Sequence, residues 1–375
     1  MRVVLIGTTA ACVVGFRIEL IRALVAQGHE VYALAIDFDE ESRKTVEDAG
    51  AVSVNYELSR AGLNPLLDAI NTYKLSRKLR KINPDLVFSY FAKPVIFGTF
   101  AAVLAGVSRR VGMLEGLGYV FTDQPSGLSL KTRIIQKVQV LLYRVALPFL
   151  ERLIFLNSDD PIDLLEKNRI SVKCYSILGP IGLDLSVYPY SAPTVQPVSF
   201  IFIGRLLSEK GINQYIAAAR MVKEKYPDTV FIVLGGIDAD NPGGLSADAL
   251  AHLVESGLLI HPGHVSDVCE WIAKSSVFVL PSYREGYPRS TQEAMAMGRP
   301  VITTNVPGCR ETVINGLNGF LVAPWSPEEL AEKMIFYIEN PHQIEIMGLE
   351  SYKIAQERFD ARKVNEELLR YLIER

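Results

Sequence analysis

Apolar and polar residues follow one another along this chain in two rhythms. Short, mainly apolar runs at 2–6, 31–36, 51–56, 85–89, 109–113, 153–156 and 175–178 each predict a buried strand. Between them lie longer mixed stretches with helical spacing. These are 16–27 closing at Gly28, 40–49 closing at Gly50, a helix after Pro65, an apolar helix reaching Ala105, and 159–167. The alternation resumes with strands at 198–203, 230–234, 258–261 and 277–280, and with helices from Asn213 and from about Pro288 to Gly298. Strand and helix in turn throughout predict an α/β protein with parallel sheets. The stretch 179–184, continuing through Pro189, Pro193 and Pro197, is the best linker candidate, giving domains of 1–183 and 184–360.

The length of 375 residues is enough for two domains with a full core each. With 49% hydrophobic and 22% charged residues the composition is that of an ordinary globular protein. Cys12, Cys174, Cys269 and Cys309 lack CxxC spacing, so neither a disulfide framework nor a zinc site is indicated. His261 and His264 fall in a Pro-Gly turn and are expected to shape a loop. The amino terminus reads as the first strand rather than a signal peptide. No stretch has the length of a membrane span: 95–107 is too short, and 134–156 is interrupted by Lys137, Arg144, Pro148, Glu151 and Arg152.

Net charge is only −3, yet it is unevenly spread. Residues 1–183 carry 22 Lys+Arg against 18 Asp+Glu, the remainder 17 against 24, and within 60–152 the ratio is 14 to 5. A basic, apolar-rich segment in a nearly neutral protein points to an anionic surface as partner. The strongest run, Lys74, Arg77, Lys78, Arg80 and Lys81, closes the helix after Pro65.

Two strand-loop-helix units carry the candidate chemistry. After the strand at 277–280, Glu285 and Glu293 bracket a turn with Gly286, Tyr287, Pro288 and Arg289. Helix-start amides favour anionic or hydroxyl-rich ligands, Gly286 lets the backbone approach, Glu285 suits sugar hydroxyls and Glu293 the two hydroxyls of a ribose. After the strand at 198–203, the loop 204–211 carries Gly204, Arg205 and Lys210, two cations able to hold a diphosphate without metal. Capped surface helices and solvated cations are the bland alternative, but parallel sheets place ligands at the edge where both loops fall. The stretch 7–15 is a small-residue loop without a GxGxxG fingerprint, so no nicotinamide cofactor is expected. Asp238-Ala239-Asp240 reads as a turn, not a metal site.

The Gly-Arg-x4-Lys-Gly loop at 204–211 and the Glu-x7-Glu pattern at 285 and 293 resemble the donor half of the retaining family-four glycosyltransferases of the GT-B fold. That resemblance implies two Rossmann-like domains with parallel sheets facing across a cleft, and a helix of 361–375 returning to the first. It implies Arg205 and Lys210 on the nucleotide diphosphate, Glu285 and the backbone of 286–289 on the donor sugar, Glu293 on the ribose, and Gly204 and Val265 among the donor contacts. The Ser-Arg-Ala-Gly-Leu-Asn-Pro block at 59, Lys93 and the Glu-Gly-Leu-Gly block at 115 are similar to bacterial transferases that extend polyprenyl-diphosphate-linked sugars, above all the N-acetylgalactosaminyltransferases of glycan and O-antigen assembly.

The expected activity is therefore retaining, metal-independent transfer of a hexose or N-acetylhexosamine from a UDP-sugar to a polyprenyl-diphosphate-linked saccharide. No cofactor and no nucleic acid are expected, and the expected place is the cytoplasm, peripherally on the inner face of the membrane. Gly15, Arg60 and Lys93 are the acceptor candidates. Many relatives carry an acceptor-domain histidine facing the donor sugar, and none occurs here between His29 and His252. Glu115 is the candidate for that neighbourhood, either touching the reaction or only capping backbone amides. A sugar-nucleotide epimerase on the same nucleotide loops, or a silent nucleotide-sugar-binding protein, are the other readings.

Overall fold

The computed structural model describes residues 1–59, 64–238, 243–263, 265 and 267–374, so Arg60, Asp240 and His264 lie outside the described residues. The chain forms two compact units. One comprises Met1–Val120, Ser129–Ile181 and Arg362–Arg375, the other Phe121–Leu128 and Gly182–Ala361.

The first unit is built on a seven-stranded, wholly parallel sheet: β1 (Arg2–Ile6), β2 (Glu30–Ala35), β3 (Val52–Asn55), β4 (Leu86–Tyr90), β5 (Arg109–Leu114), β6 (Arg152–Phe155) and β7 (Tyr175–Ile177), in the order β3-β2-β1-β4-β5-β6-β7. Val3 to Ile6 and all of β4 are buried, as expected where helices cover both faces of a parallel strand. On one face Val4, Ile6, Leu34 and Val87 meet Leu75 and Leu79 of the Pro65–Ile82 helix and Ala101 and Ala102 of the Thr99–Ala105 helix. The Ala361–Ile373 helix is tied in by Arg109, whose guanidinium donates to the carbonyls of Leu372 and Ile373 at 3.0 and 3.2 Å.

The second unit carries a five-stranded parallel sheet: β8 (Ser199–Ile203), β9 (Val230–Leu234), β10 (Val277–Leu280), β11 (Val301–Thr304) and β12 (Gly319–Val322), in the order β12-β11-β10-β8-β9.

Two expectations are corrected. The loop after β1 is only residues 7–9: the first helix runs Ala10–Ala26, so Gly15 is helical. Its early start is secured by Thr9, whose hydroxyl accepts from Cys12 N–H, and by the Asp37 carboxylate, which accepts from Ala10 N–H at 2.7 Å. Residues 258–261 form no ladder strand, only a bridge between Ile260 and Ile232 beside β9. The run at 134–156, to which the sequence pattern assigns no helix, falls in the helix Leu130–Ala146, a turn and β6.

Candidate active site

β8 and β10 are neighbours, paired in parallel through Phe200 with Val277 and Ile201 with Phe278. Their loops, 204–211 and 281–288, therefore leave the same edge of the sheet side by side. Tyr283 N–H donates to Glu209 O at 2.9 Å, and the Tyr283 hydroxyl donates to Gln214 Oε1 at 2.9 Å. Gly211 has φ +79°, and a Cβ there would collide with the carbonyl of Pro281. A side chain at 211 would force the two loops apart.

Across this junction Lys210 Nζ sits 2.6 and 2.8 Å from the two carboxylate oxygens of Glu285, and Ser282 Oγ donates to Glu285 Oε1 at 2.7 Å. The carboxylate is 10% exposed and the lysine 24%, so the pair is sheltered but reachable. The loop backbone rests on the turn after β11. Glu285 N–H donates to Pro307 O at 3.0 Å, and Gly308, at φ +77°, leaves no room for a Cβ against the carbonyls of Glu285 and Gly286. Buried in the same turn, the Cys309 thiol is pushed up to about 12 by burial and then by the charge of Glu285, which makes it a poor nucleophile.

Arg205 is 61% exposed, with Nη1 3.2 Å from Asp238 Oδ2. Gly204, Arg205 and Val265 line one cavity of about 400 Å³ with Gly235, Ile237 and His261, whose ring is 3.0 Å from Gly235 O. Glu293, on the Arg289–Ala296 helix, accepts from Arg289 Nε at 2.9 Å and from the Tyr188 hydroxyl at 3.0 Å. Tyr287 is turned inward: it is buried, its hydroxyl donates to Glu311 O at 3.2 Å, and its ring meets Phe359 edge-on. Tyr287, Pro288 and Gly286 therefore shape the loop and offer backbone. Sequence reasoning misses Tyr188 and Asp238 as partners, since Asp238 reads from the chain only as part of a turn.

In the first unit Glu115 follows β5 and is ion-paired with Arg17 of the Ala10–Ala26 helix, both side chains nearly sealed from solvent. Arg17 Nη1 also donates to Phe16 O at 2.8 Å, and its guanidinium lies 4.8 Å from the centre of the Tyr90 ring at the end of β4. Burial pushes the Glu115 carboxyl above its usual range, and Arg17 opposes that shift. Arg17 was missed; its signal was a cation falling at helical spacing in the apolar row of Val13, Leu20, Ile21 and Leu24. Lys93 Nζ donates to Ser59 O at 2.7 Å and lies 3.9 Å from Asp68 Oδ1, and burial lowers its pKa. Gly15 is on the exposed side of its helix, with open space around the position of a Cβ.

Two family models span most of the chain: glycosyl transferase 4-like over residues 2–157 and glycosyl transferases group 1 over residues 192–354. The chain is a GT-B glycosyltransferase. The transferase is 29% identical over 357 residues, 91% of its own length and 90% of the relative's, to the N,N'-diacetylbacillosaminyl-diphospho-undecaprenol alpha-1,3-N-acetylgalactosaminyltransferase of Campylobacter jejuni. It is 29% identical over 68% of its length, and 65% of the relative's, to the UDP-Gal:alpha-D-GlcNAc-diphosphoundecaprenol alpha-1,3-galactosyltransferase of Escherichia coli. Its fold is similar to that of Anabaena HepE in complex with UDP and glucose, with a TM-score of 0.78 at 18% identity over 100% of both chains. Among the described residues of this transferase no helix is long and apolar enough to cross a membrane.

Proposed function

We propose that this glycosyltransferase moves a hexose or N-acetylhexosamine from a UDP-sugar to a polyprenyl-diphosphate-linked saccharide in surface-glycan assembly, with retention at the anomeric carbon and without a metal ion. The observation that carries the donor half is the meeting of Lys210 and Glu285 at the adjacent ends of β8 and β10, with Arg205 on the same loop as Lys210. The acceptor class rests on the names of the Campylobacter and Escherichia relatives.

On this reading a bound UDP-sugar sets its diphosphate against Arg205 and Lys210. Both cations exchange a carboxylate for the ligand, and they take up the negative charge that grows on the departing diphosphate as the sugar–oxygen bond breaks. Glu285, released by Lys210, accepts hydrogen bonds from sugar hydroxyls beside the reacting carbon. Glu293, kept in place by Arg289 and Tyr188, accepts from the ribose hydroxyls. The acceptor hydroxyl attacks from the leaving-group side and passes its proton to the departing diphosphate oxygen, which keeps the anomeric configuration and needs no covalent intermediate. Gly15, Arg60, Lys93 and Glu115 belong to the acceptor side, and the protein works peripherally on the cytoplasmic face of the membrane, held by the basic excess in 60–152.

The test is a panel of UDP-sugars screened first for protection against thermal unfolding and then for turnover on a polyprenyl-diphosphate saccharide in excess EDTA. A ligand at a hundred times its dissociation constant adds about 2.7 kcal/mol of stability. Protection by one UDP-sugar and turnover undiminished by EDTA are expected. Turnover lost on chelation and restored by magnesium or manganese would remove the leaving-group role of Arg205 and Lys210.

A further inference from the structure

The Leu130–Ala146 helix turns its apolar stripe outward. Leu130, Ile134, Val138, Leu141 and Val145 are exposed, Leu130 by 76%, and their steps of four, four, three and four residues set them on one face. On a soluble helix such a stripe faces the core. Here the buried residues are Thr132, Tyr143 and Ala146. The Pro65–Ile82 helix likewise exposes Leu66, Ile70 and Tyr73. An apolar groove of about 350 Å³ runs beside the two helices, lined by Pro65, Ala69, Phe97, Phe100, Leu104 and Leu142.

The exposed charges of the two helices have one sign; Asp68, which also lines the groove, is buried. The Leu130–Ala146 helix contains Lys131, Arg133, Lys137 and Arg144, all exposed, and no Asp or Glu. At about 100° per residue Lys131 falls on one side of the stripe and the other three on the opposite side. Lys74, Arg77, Arg80 and Lys81 are exposed on the neighbouring helix.

We infer that this face enters an anionic lipid leaflet, the Leu130–Ala146 stripe lying in the outer acyl layer and the flanking cations at the headgroups. The inference rests on the peripheral-membrane reading above and deepens it, because electrostatic attraction alone is released by salt, whereas buried apolar side chains hold at any ionic strength. A second copy of the chain is the poorer occupant: pairing this face with itself would set the cations of one copy against those of the other. An anionic leaflet complements both the stripe and its borders.

The experiment is sedimentation of the whole protein with phosphatidylcholine vesicles, with and without phosphatidylglycerol, at ionic strengths of about 0.1 M and about 1 M, where the screening length falls from about 10 to about 3 Å. Binding to the anionic vesicles is expected to weaken at high salt but to leave a resistant part. Leu130→Ser/Ile134→Ser/Leu141→Ser should lower the affinity of that part by at least about tenfold. Lys131→Gln/Arg133→Gln/Lys137→Gln should lose the salt-sensitive part and keep the resistant one. UDP binding by both variants reports that they fold. Full release of the wild type at high salt, or equal binding by the serine variant, overturns the insertion while leaving surface attraction standing. A dimer in sedimentation velocity that the serine variant dissolves, without change in vesicle binding, overturns it in favour of a second copy. Absence of binding to any vesicle removes the membrane reading as well, whatever the UDP result.

Discussion

Each unit holds a glutamate against a cation at the C-terminal edge of its sheet, and the two pairs differ mainly in the cation. Glu285 meets Lys210, a flexible ammonium on a loop, 24% exposed. Glu115 meets Arg17, a planar guanidinium 2% exposed, fixed on a helix by the Phe16 carbonyl and covered by the Tyr90 ring. A lysine that reaches solvent can leave its carboxylate for a better anion, because the carboxylate it leaves is then met by Ser282 and by water. An arginine enclosed on three sides cannot leave without stranding a buried charge. The first pair suits exchange with a ligand; the second suits holding β1, β4 and β5 in register around their shared edge.

The contrast breaks most visibly in stability. Arg17→Met strands Glu115, and losing one partner of a buried pair costs about 3–5 kcal/mol. Thermal unfolding should show that loss, largely recovered in Arg17→Met/Glu115→Leu. The loss also has a pH dependence. With its folded pKa raised, Glu115 is neutral and tolerated in acid, and stability falls as pH rises from the ordinary glutamate range through the raised folded value. The single variant should therefore approach wild type toward acid pH and fall behind it toward neutrality; a constant gap across pH would mean that Glu115 is not charged in the fold.

Next in size is Glu285→Gln. Losing a contact that strengthens in the transition state lowers turnover by about 100-fold or more, while UDP, which lacks the sugar, binds as well as before or better once Lys210 is free. Glu293→Ala should instead weaken UDP and UDP-sugar alike by about 1.5–3 kcal/mol, since the ribose does not change charge during transfer. Calorimetry with UDP set beside initial rates separates the two. If Glu285→Gln lost UDP affinity and kept its saturated rate, the 281–288 loop would be a nucleotide clamp instead of a sugar site.

The smallest effect sharpens the idea of exchange itself. Asp238→Asn frees the exposed Arg205 from its internal partner, and an exposed pair is worth about 0.2–1 kcal/mol. UDP should bind tighter by at most that much, with a lower KM for the donor. Weaker binding would show that Asp238 orients Arg205 for the diphosphate and does not compete with it.

Most strands could be read from the chain, because a strand buried on both faces is a short unbroken apolar run: β1, β9 and β10 fall where the pattern puts them. The helix start at Ala10 could not, since one of its two amide partners is Asp37, twenty-seven residues on. Nor could the Leu130–Ala146 helix, whose apolar positions resemble a broken buried run when it is not known which side faces water. Residues 121–128 join the second unit although their sequence neighbours belong to the first, a matter of contact and not of composition.

For the site, two strand-loop-helix units in the right order, together with the family resemblance they carry, selected Arg205, Lys210, Glu285 and Glu293, because that order is local and is written in consecutive residues. Which of them touch is not local. That Lys210 lies against Glu285, that Asp238 holds Arg205, that Tyr188 from the expected linker reaches Glu293 and that Arg17 seals Glu115 depend on strand order, because setting β8 between β9 and β10 and β4 between β1 and β5 joins residues 33 to 105 positions apart. Local free energies choose the elements; only the folded sheet decides which charges they bring together.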